Sequence, residues 1–236
     1  MLQKLKIRFN DDWLLILLGL IIAIYPICFL SGSLLINLNT ILACTIFTVL
    51  CIKSKKVLIL KDKYLFLLIF LWVTFLINLI LSSNFENSLL RAIGFIRFII
   101  LAISIKFFFE TSGERLKRNV LTIWLLTIIV ISFDLIFEYF IGHNVLGFTS
   151  PMKGRLSGFL GDELKIGHLY LGFFLICSVT IFNLTKNNLI LFIFFLFGII
   201  ISLIIGERAN FLRFFSITVI FLLFFDLDCD RNHHHL

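Results

Sequence analysis

The sequence predicts an all-α membrane protein, a polytopic transmembrane helical bundle of about eight spans with one longer outward-facing loop. Hydrophobic residues fill 60% of the 236 positions, whereas a soluble domain averages about 45–50%. They come in runs of roughly 20 residues, long enough to cross the hydrocarbon layer as helices. Because lipid offers the backbone no hydrogen-bond partners, helices are the expected form. The longest polar interruption, residues 141–167, is the predicted loop.

The spans follow one another along residues 1–225, which we interpret as a single transmembrane helical domain. A short basic segment precedes the first span, and we favour an uncleaved signal-anchor there over a cleaved signal peptide, because the run is long and more spans follow. The predicted spans lie near 13–30, 34–52, 64–81, 89–109, 120–140, 166–183, 189–205 and 211–225. The composition changes abruptly at residues 226–236, which predicts a disordered tail.

The placement of Lys and Arg predicts a multi-pass protein with a cytoplasmic N-terminus. Most of the 21 basic residues fall in segments that are cytoplasmic in that orientation, as the positive-inside rule requires. The formal charge of +7 is then a topology signal, and it does not predict a nucleic-acid partner. The five cysteines have no zinc-type spacing and are interpreted as small buried hydrophobes. The loop 141–167 and the short turn 206–210 face outward.

Four ionisable side chains fall inside predicted spans. Arg91 and Arg97 lie on the fourth span, and Asp134 and Glu138 lie four residues apart on one face of the fifth. Charges in a span are costly, so they usually face a partner or a water-filled cavity. Their matching depths predict an Arg97–Asp134 and Arg91–Glu138 ladder if the two spans are neighbours. The alternative is that one of these arginines faces an outward cavity and binds an anion.

The outward loop contains a glycine-rich charged segment, K-G-R-L-S-G-F-L-G-D-E, centred on Arg155. Its glycines permit tight turns and close backbone approach, and a segment leading into a helix can aim N–H groups at an anion. Asp162 and Glu163 are candidates to orient Arg155 or to act as general base. An ordinary surface loop of mixed charge explains the composition equally well.

A second outward segment, G-E-R-A-N-F-L-R at 206–213, places Glu207 beside Arg208. Guanidinium groups pair with phosphate oxygens through two parallel hydrogen bonds. Two arginines that converge from separate outward segments therefore suit a diphosphate ligand.

The order of these motifs resembles the O-antigen ligase and O-antigen polymerase superfamily of polytopic inner-membrane glycan ligases. The matching segments are D-L-I-F-E-Y-F-I-G-H-N-V-L-G (134–147), G-R-L-S-G-F-L-G-D-E-L-K-I-G (154–167) and G-E-R-A-N-F (206–211). The resemblance implies a location in the bacterial inner membrane. It also implies transfer of a glycan from a polyprenyl-diphosphate carrier to lipid A core or another glycan acceptor on the outer face of that membrane.

By this resemblance Arg155 and Arg208 hold the donor diphosphate and stabilise its charge as it leaves. No metal or other cofactor is expected, and the partners are the polyprenyl-diphosphate-linked glycan, a lipid or glycan acceptor, and membrane lipids. The carrier tail would lie among the spans.

The sequence departs from the family pattern in its histidines. The family places a catalytic histidine in a large outer loop beyond the second arginine, and neither His143 nor His168 stands in such a loop. The catalytic residue is therefore unassigned, and we expect an N-terminal part or truncated copy that is inactive alone.

Two alternatives from other classes stay open. A transporter or flippase of polyprenyl-linked sugars would use the same basic outward cavity, although such proteins often show repeats and broken helices. A non-catalytic membrane protein would retain the arginines without chemistry.

Overall fold

A computed structural model describes residues 13–54, 63–80, 82, 85–161 and 164–233. These residues form helices, turns and loops and contain no β-strand, so the predicted all-α class is confirmed for them. The α-helices in chain order are α1 (Trp13–Ala23), α2 (Tyr25–Leu30), α3 (Ser33–Ser54), α4 (Lys63–Ile80), α5 (Phe85–Thr111), α6 (Glu114–Ile141), α7 (Ile166–Thr185), α8 (Asn188–Ile204) and α9 (Arg208–His233). A 3-10 turn, Gly158–Leu160, lies between α6 and α7.

Four of the described helices, α3, α5, α6 and α7, are long and apolar enough to cross a membrane. Three more, α1, α4 and α8, contain shorter apolar segments. Large apolar side chains such as Leu34, Phe66 and Phe140 are exposed on the helix surfaces, where lipid rather than water would satisfy them. These helices indicate a membrane-embedded protein. A count of eight spans stays a prediction.

Most helix bounds lie within four residues of the predicted apolar runs, with three differences. The α6 helix begins at Glu114, six residues before the predicted span. The run at 13–30 is divided at Ile24 into α1 and α2, because Pro26 has no N–H to continue the hydrogen-bond ladder and fits only a first helical turn. At the other end, α9 continues to His233, into the segment 226–236 that was predicted to be a disordered tail.

The chain divides into two compact units, one of residues 1–28 and 33–120, the other of residues 29–32 and 121–236. In the first unit, α1 approaches α5 closely at Gly19, where an added Cβ would lie 2.7 Å from the Phe108 ring. Asn39 on α3 donates its amide to the Ile21 carbonyl at 3.2 Å, and Trp72 on α4 donates to the Ala92 carbonyl at 2.9 Å. The side-chain N–H groups of Asn39 and Trp72 thus find main-chain partners on neighbouring helices.

In the second unit, aromatic rings fill the core between α7, α8 and α9. Phe174 stacks on Phe194 with centroids 4.2 Å apart, and its ring contacts the Phe214 ring at 5.0 Å. The glycine at position 198 leaves the room that these rings occupy. Tyr170 on α7 reaches Ser132 on α6 at 3.0 Å between hydroxyl oxygens. The candidate site is built in this unit, from the end of α6, the start of α7 and the turn before α9.

Candidate functional site

Two carboxylates near the C-terminal end of α6 hold the long loop between α6 and α7 (residues 142–165). Glu138 Oε2 accepts the Gly158 N–H at 2.7 Å, and its Oε1 accepts the Ser157 N–H at 3.2 Å and the Ser157 hydroxyl at 3.4 Å. Asp134 Oδ1 accepts the Val145 N–H at 2.9 Å. Both side chains are almost completely buried. We call Asp134 and Glu138 the carboxylate anchor.

Gly158 can meet this anchor because it has no side chain. Its φ is +54°, a left-handed conformation that glycine adopts without strain. An added Cβ would lie 3.3 Å from Asp134 Oδ2 and from Leu135 Cδ2. Asp134 Oδ2 itself is buried and has no hydrogen-bond partner among the described residues of this unit. The absence of a side chain at position 158 therefore lets the loop backbone pack directly against the carboxylate anchor.

Asn144 organises the first part of the loop. Its amide oxygen accepts the Phe148 N–H at 2.8 Å, and its amide nitrogen donates to the Gly158 carbonyl at 2.7 Å. The Asn144 carbonyl also accepts the Gly147 N–H at 2.9 Å, which closes a turn. Asn144 is fully buried. Sequence reasoning missed this residue, although N-V-L-G is a typical turn sequence.

The next part of the loop joins the turn between α8 and α9. Leu156 donates its N–H to the Ile205 carbonyl at 3.0 Å. Gly206, with φ +78°, packs so closely on the Gly154 carbonyl that an added Cβ would overlap its oxygen. The segments predicted to converge, around Arg155 and around 206–210, are therefore in main-chain contact.

Arg155 forms an ion pair with Glu207 at this junction. The Nη2 to Oε2 distance is 3.2 Å, and the side chains are 25% and 19% exposed. The same Nη2 also donates to the Leu164 carbonyl at 3.4 Å. The Arg155 Nε is buried without a hydrogen-bond partner among the described residues of this unit. Only part of the guanidinium donor capacity is thus used.

Glu207 Oε2 also accepts the side-chain amide of Asn210. Asn210 is 3% exposed, and α7 approaches it through Gly167, where an added Cβ would overlap the amide. We call Arg155, Glu207 and Asn210 the arginine cluster. Sequence reasoning did not assign a role to Asn210, and its presence in G-E-R-A-N was the only signal.

Arg208 begins α9 and its side chain is exposed. No described residue of this unit forms an ion pair with it. The cluster thus contains Arg155, whose guanidinium is partly hydrogen-bonded. The exposed Arg208 follows Glu207 of the cluster directly in the chain.

The remaining predicted site residues lie apart from these contacts or outside the described residues. His143 is exposed and its Nδ1 lies 3.0 Å from the Asn144 carbonyl oxygen. His168 is exposed in the first turn of α7. Asp162 and Glu163 lie outside the described residues, so their orienting or base role stays a prediction.

Arg91 and Arg97 lie on α5 in the other unit. Arg91 is exposed, and the Arg97 guanidinium lies 4.9 Å from the Phe98 ring centroid. The predicted ladder to Asp134 and Glu138 would join the two units and stays a prediction. In the structure, both carboxylates accept hydrogen bonds from main-chain N–H groups of the loop between α6 and α7.

No family model, curated protein or solved structure matches this chain. The assignment of function therefore depends on the residues and their geometry.

Proposed function

We propose that this chain binds a polyprenyl-diphosphate-linked glycan through Arg155 and Arg208, as the donor-binding part of a membrane glycan ligase or polymerase. The acceptor would be lipid A core or another glycan at the outer face of the bacterial inner membrane. The observation that supports this proposal is the junction between the loop and the α8–α9 turn, where Leu156 bonds to Ile205 and Arg155 pairs with Glu207.

This junction supports the proposal because it joins two motifs that are distant in sequence. By the family resemblance, the arginines of these two motifs bind the same donor diphosphate. Arg155 and Arg208 are 53 positions apart by their numbers, yet the loop is hydrogen-bonded to the turn just before α9. The first N–H groups of α9 also lack intrahelical partners, which favours an anion at that end.

The chemistry assigned to the arginines is charge stabilisation. An acceptor hydroxyl forms a bond to the anomeric carbon of the donor sugar and loses its proton, while the bond from that carbon to the phosphate oxygen breaks. The carrier diphosphate leaves with an additional negative charge. Guanidinium groups placed where that charge develops lower the barrier, and their planar forks match phosphate oxygens. The base that takes the acceptor proton is not assigned.

An apolar groove on the same unit suits the polyprenyl tail. It has a volume of about 510 Å³ and is formed mainly by α6 and the start and end of the loop. Its lining includes Phe133, Asp134, Phe137, Phe140 and Phe159. A tail made of isoprene units would find an almost entirely hydrocarbon surface there.

The proposed orientation has the N-terminus in the cytoplasm and the loop 142–165 outside. The distribution of basic residues supports it. In a variant whose own cysteines are replaced, a single cysteine at the exposed Met152 should react with a membrane-impermeant maleimide in intact spheroplasts. Protection until the membrane is broken would place the loop on the wrong side.

Donor binding tests the proposal directly. The full chain, purified in detergent, is titrated with a radiolabelled polyprenyl-diphosphate glycan. We expect Arg155→Ala and Arg208→Ala each to weaken binding about tenfold or more, because each removes a charge-assisted contact of roughly 1.5–3 kcal/mol. Arg213→Ala is the matched control, since Arg213 is also exposed on α9 but lies outside the junction.

Unchanged affinity in both arginine variants would overturn the proposed site. An equal loss in Arg213→Ala would show that the titration measures general charge attraction rather than a diphosphate site.

A further inference from the structure

In the unit that contains α4 and α5, these two helices line a cavity of about 320 Å³. Its residues form two helical stripes. Phe75, Leu79 and Ser82 follow one another along α4 and its end, while Ser88, Arg91 and Phe95 follow along one face of α5. Because the helices are joined through residues 81–84, the two stripes run in opposite directions.

The cavity changes from apolar to polar along its length. At one end the Phe75 and Phe95 rings meet edge to face with centroids 4.9 Å apart. At the end nearest the helix connection, Ser82 and Ser88 share a hydrogen bond of 2.7 Å. Arg91 lies between these ends on α5. This is the order of groups in a phospholipid, with a hydrocarbon chain, a phosphate and a hydroxylated head group.

The charge of the cavity comes from Arg91. Its side chain is exposed, and no described residue of this unit forms an ion pair with it. No acidic residue occurs among the described residues that line the cavity. An arginine at a membrane helix needs a partner or water, and a phosphate suits its planar fork. The described lining residues therefore offer no carboxylate to a cationic head group such as choline.

We propose that this cavity binds an anionic phospholipid, with the phosphate on Arg91 and an acyl chain along Phe75 and Phe95. The Ser82 and Ser88 hydroxyls and the Asn78 amide lie where a glycerol head group would be. This site involves none of the residues proposed for the glycan donor, and it assigns to Arg91 a role that needs neither Glu138 nor α6.

Trp72 provides a reporter within the site. Its Nε1 donates to the carbonyl of Ala92, and Ala92 lines the cavity. The full chain carrying Trp13→Phe and Trp124→Phe retains Trp72 as its sole tryptophan. It is reconstituted in phosphatidylcholine vesicles that contain increasing fractions of either phosphatidylglycerol or phosphatidylcholine with brominated acyl chains. Bromine quenches tryptophan fluorescence only in close contact, so quenching reports lipid occupancy.

We expect brominated phosphatidylglycerol to occupy the site about fivefold more strongly than brominated phosphatidylcholine, the preference that one basic side chain near a lipid surface gives. Arg91→Gln should abolish the preference. Arg91→Lys, which keeps the charge but loses the fork, should retain part of it and provides a second variant if Arg91→Gln does not fold. Arg213→Gln is the control for loss of an exposed arginine and should keep the full preference.

Equal quenching by the two lipids would overturn the proposal. So would an equal loss of preference in Arg213→Gln, which would indicate general charge attraction. If inorganic phosphate in the buffer removes the preference, the occupant is a free anion and not a lipid, and the proposal is again wrong.

Discussion

Gly158 donates its main-chain N–H to Glu138 Oε2 at 2.7 Å, across twenty residues of chain. The Ser157 N–H reaches the other oxygen of the same carboxylate. A side chain of α6 thus satisfies two consecutive N–H groups, those of Ser157 and of Gly158, with which the 3-10 turn begins. Such groups must be paired when buried, and Glu138 is the partner that the sequence provides.

Removal of the Glu138 carboxylate should release this loop. We expect Glu138→Ala to lower the free energy of unfolding by about 2–4 kcal/mol, because two buried N–H groups lose a charged acceptor. Glu138→Gln keeps one acceptor oxygen and should cost about half as much. The measurement is thermal unfolding in detergent, with trypsin cleavage after the exposed Lys153 as a local readout that should accelerate.

Glu110→Ala is the matched control. Glu110 is 64% exposed and only pairs with Lys106 at 3.6 Å, so a change of less than about 0.5 kcal/mol is expected. If Glu138→Ala cleaves no faster than Glu110→Ala, the carboxylate does not hold the loop.

Alanine substitutions at two glycines with positive φ can separate the cost of backbone strain from the cost of lost close packing. Gly147 has φ +85° and open space where a Cβ would be added, whereas Gly206 has φ +78° and packs on the Gly154 carbonyl. Gly147→Ala should cost about 1–2 kcal/mol from backbone conformation alone. Gly206→Ala should cost more and also separate the loop from the α8–α9 turn. Equal melting temperatures for the two variants would show that the close approach is not important for stability.

Glu207 should oppose binding of a diphosphate. Its carboxylate occupies Arg155 Nη2 and places a negative charge where the ligand charge is proposed to lie. Glu207→Gln keeps a hydrogen-bond acceptor for Asn210 but removes that charge. We expect donor affinity to rise about fivefold to tenfold, which corresponds to roughly 1 kcal/mol of relieved repulsion and competition. A loss of affinity in the same titration would instead show that Glu207 positions Arg155.

The Ser132–Tyr170 pair should respond unequally to its two deletions. Ser132 Oγ donates to the Ile128 carbonyl at 2.8 Å, so the shared bond with Tyr170 must use the tyrosine hydrogen. Tyr170→Phe removes a donor and leaves Ser132 bonded, at a cost of about 1 kcal/mol or less. Ser132→Ala leaves a buried tyrosine hydroxyl without its acceptor and should cost about 1–3 kcal/mol. A larger loss of melting temperature in Tyr170→Phe would reverse this assignment of the donor.

The helices could be predicted from sequence because one property, apolar length, determines their existence and most of their ends. Even α1 and α2 fall within a single predicted run, in which the effect of Pro26 on hydrogen bonding was missed. The helical continuation of α9 into 226–233 has no apolar signal in the sequence.

The loop contacts were harder to predict because they depend on which chain segments meet. The i, i+4 spacing correctly indicated that Asp134 and Glu138 share a face, but spacing alone cannot distinguish an arginine partner from main-chain N–H groups. A convergence of Arg155 with the 206–210 turn was implied by the family resemblance, in which Arg155 and Arg208 share one ligand. Asn144 and Asn210 were missed because a buried asparagine is recognised only from its partners.

Two consecutive residues of the loop are hydrogen-bonded to different helices. Leu156 is bonded to the end of α8, and Ser157 is bonded to α6. With 28 residues, α6 is about 42 Å long, which exceeds the roughly 30 Å hydrocarbon layer, so its tilt depends on bilayer thickness. Any displacement of the end of α6 relative to the end of α8 would act on the peptide between residues 156 and 157, one residue after Arg155. We therefore expect lipid chain length to affect the position of the Arg155 guanidinium.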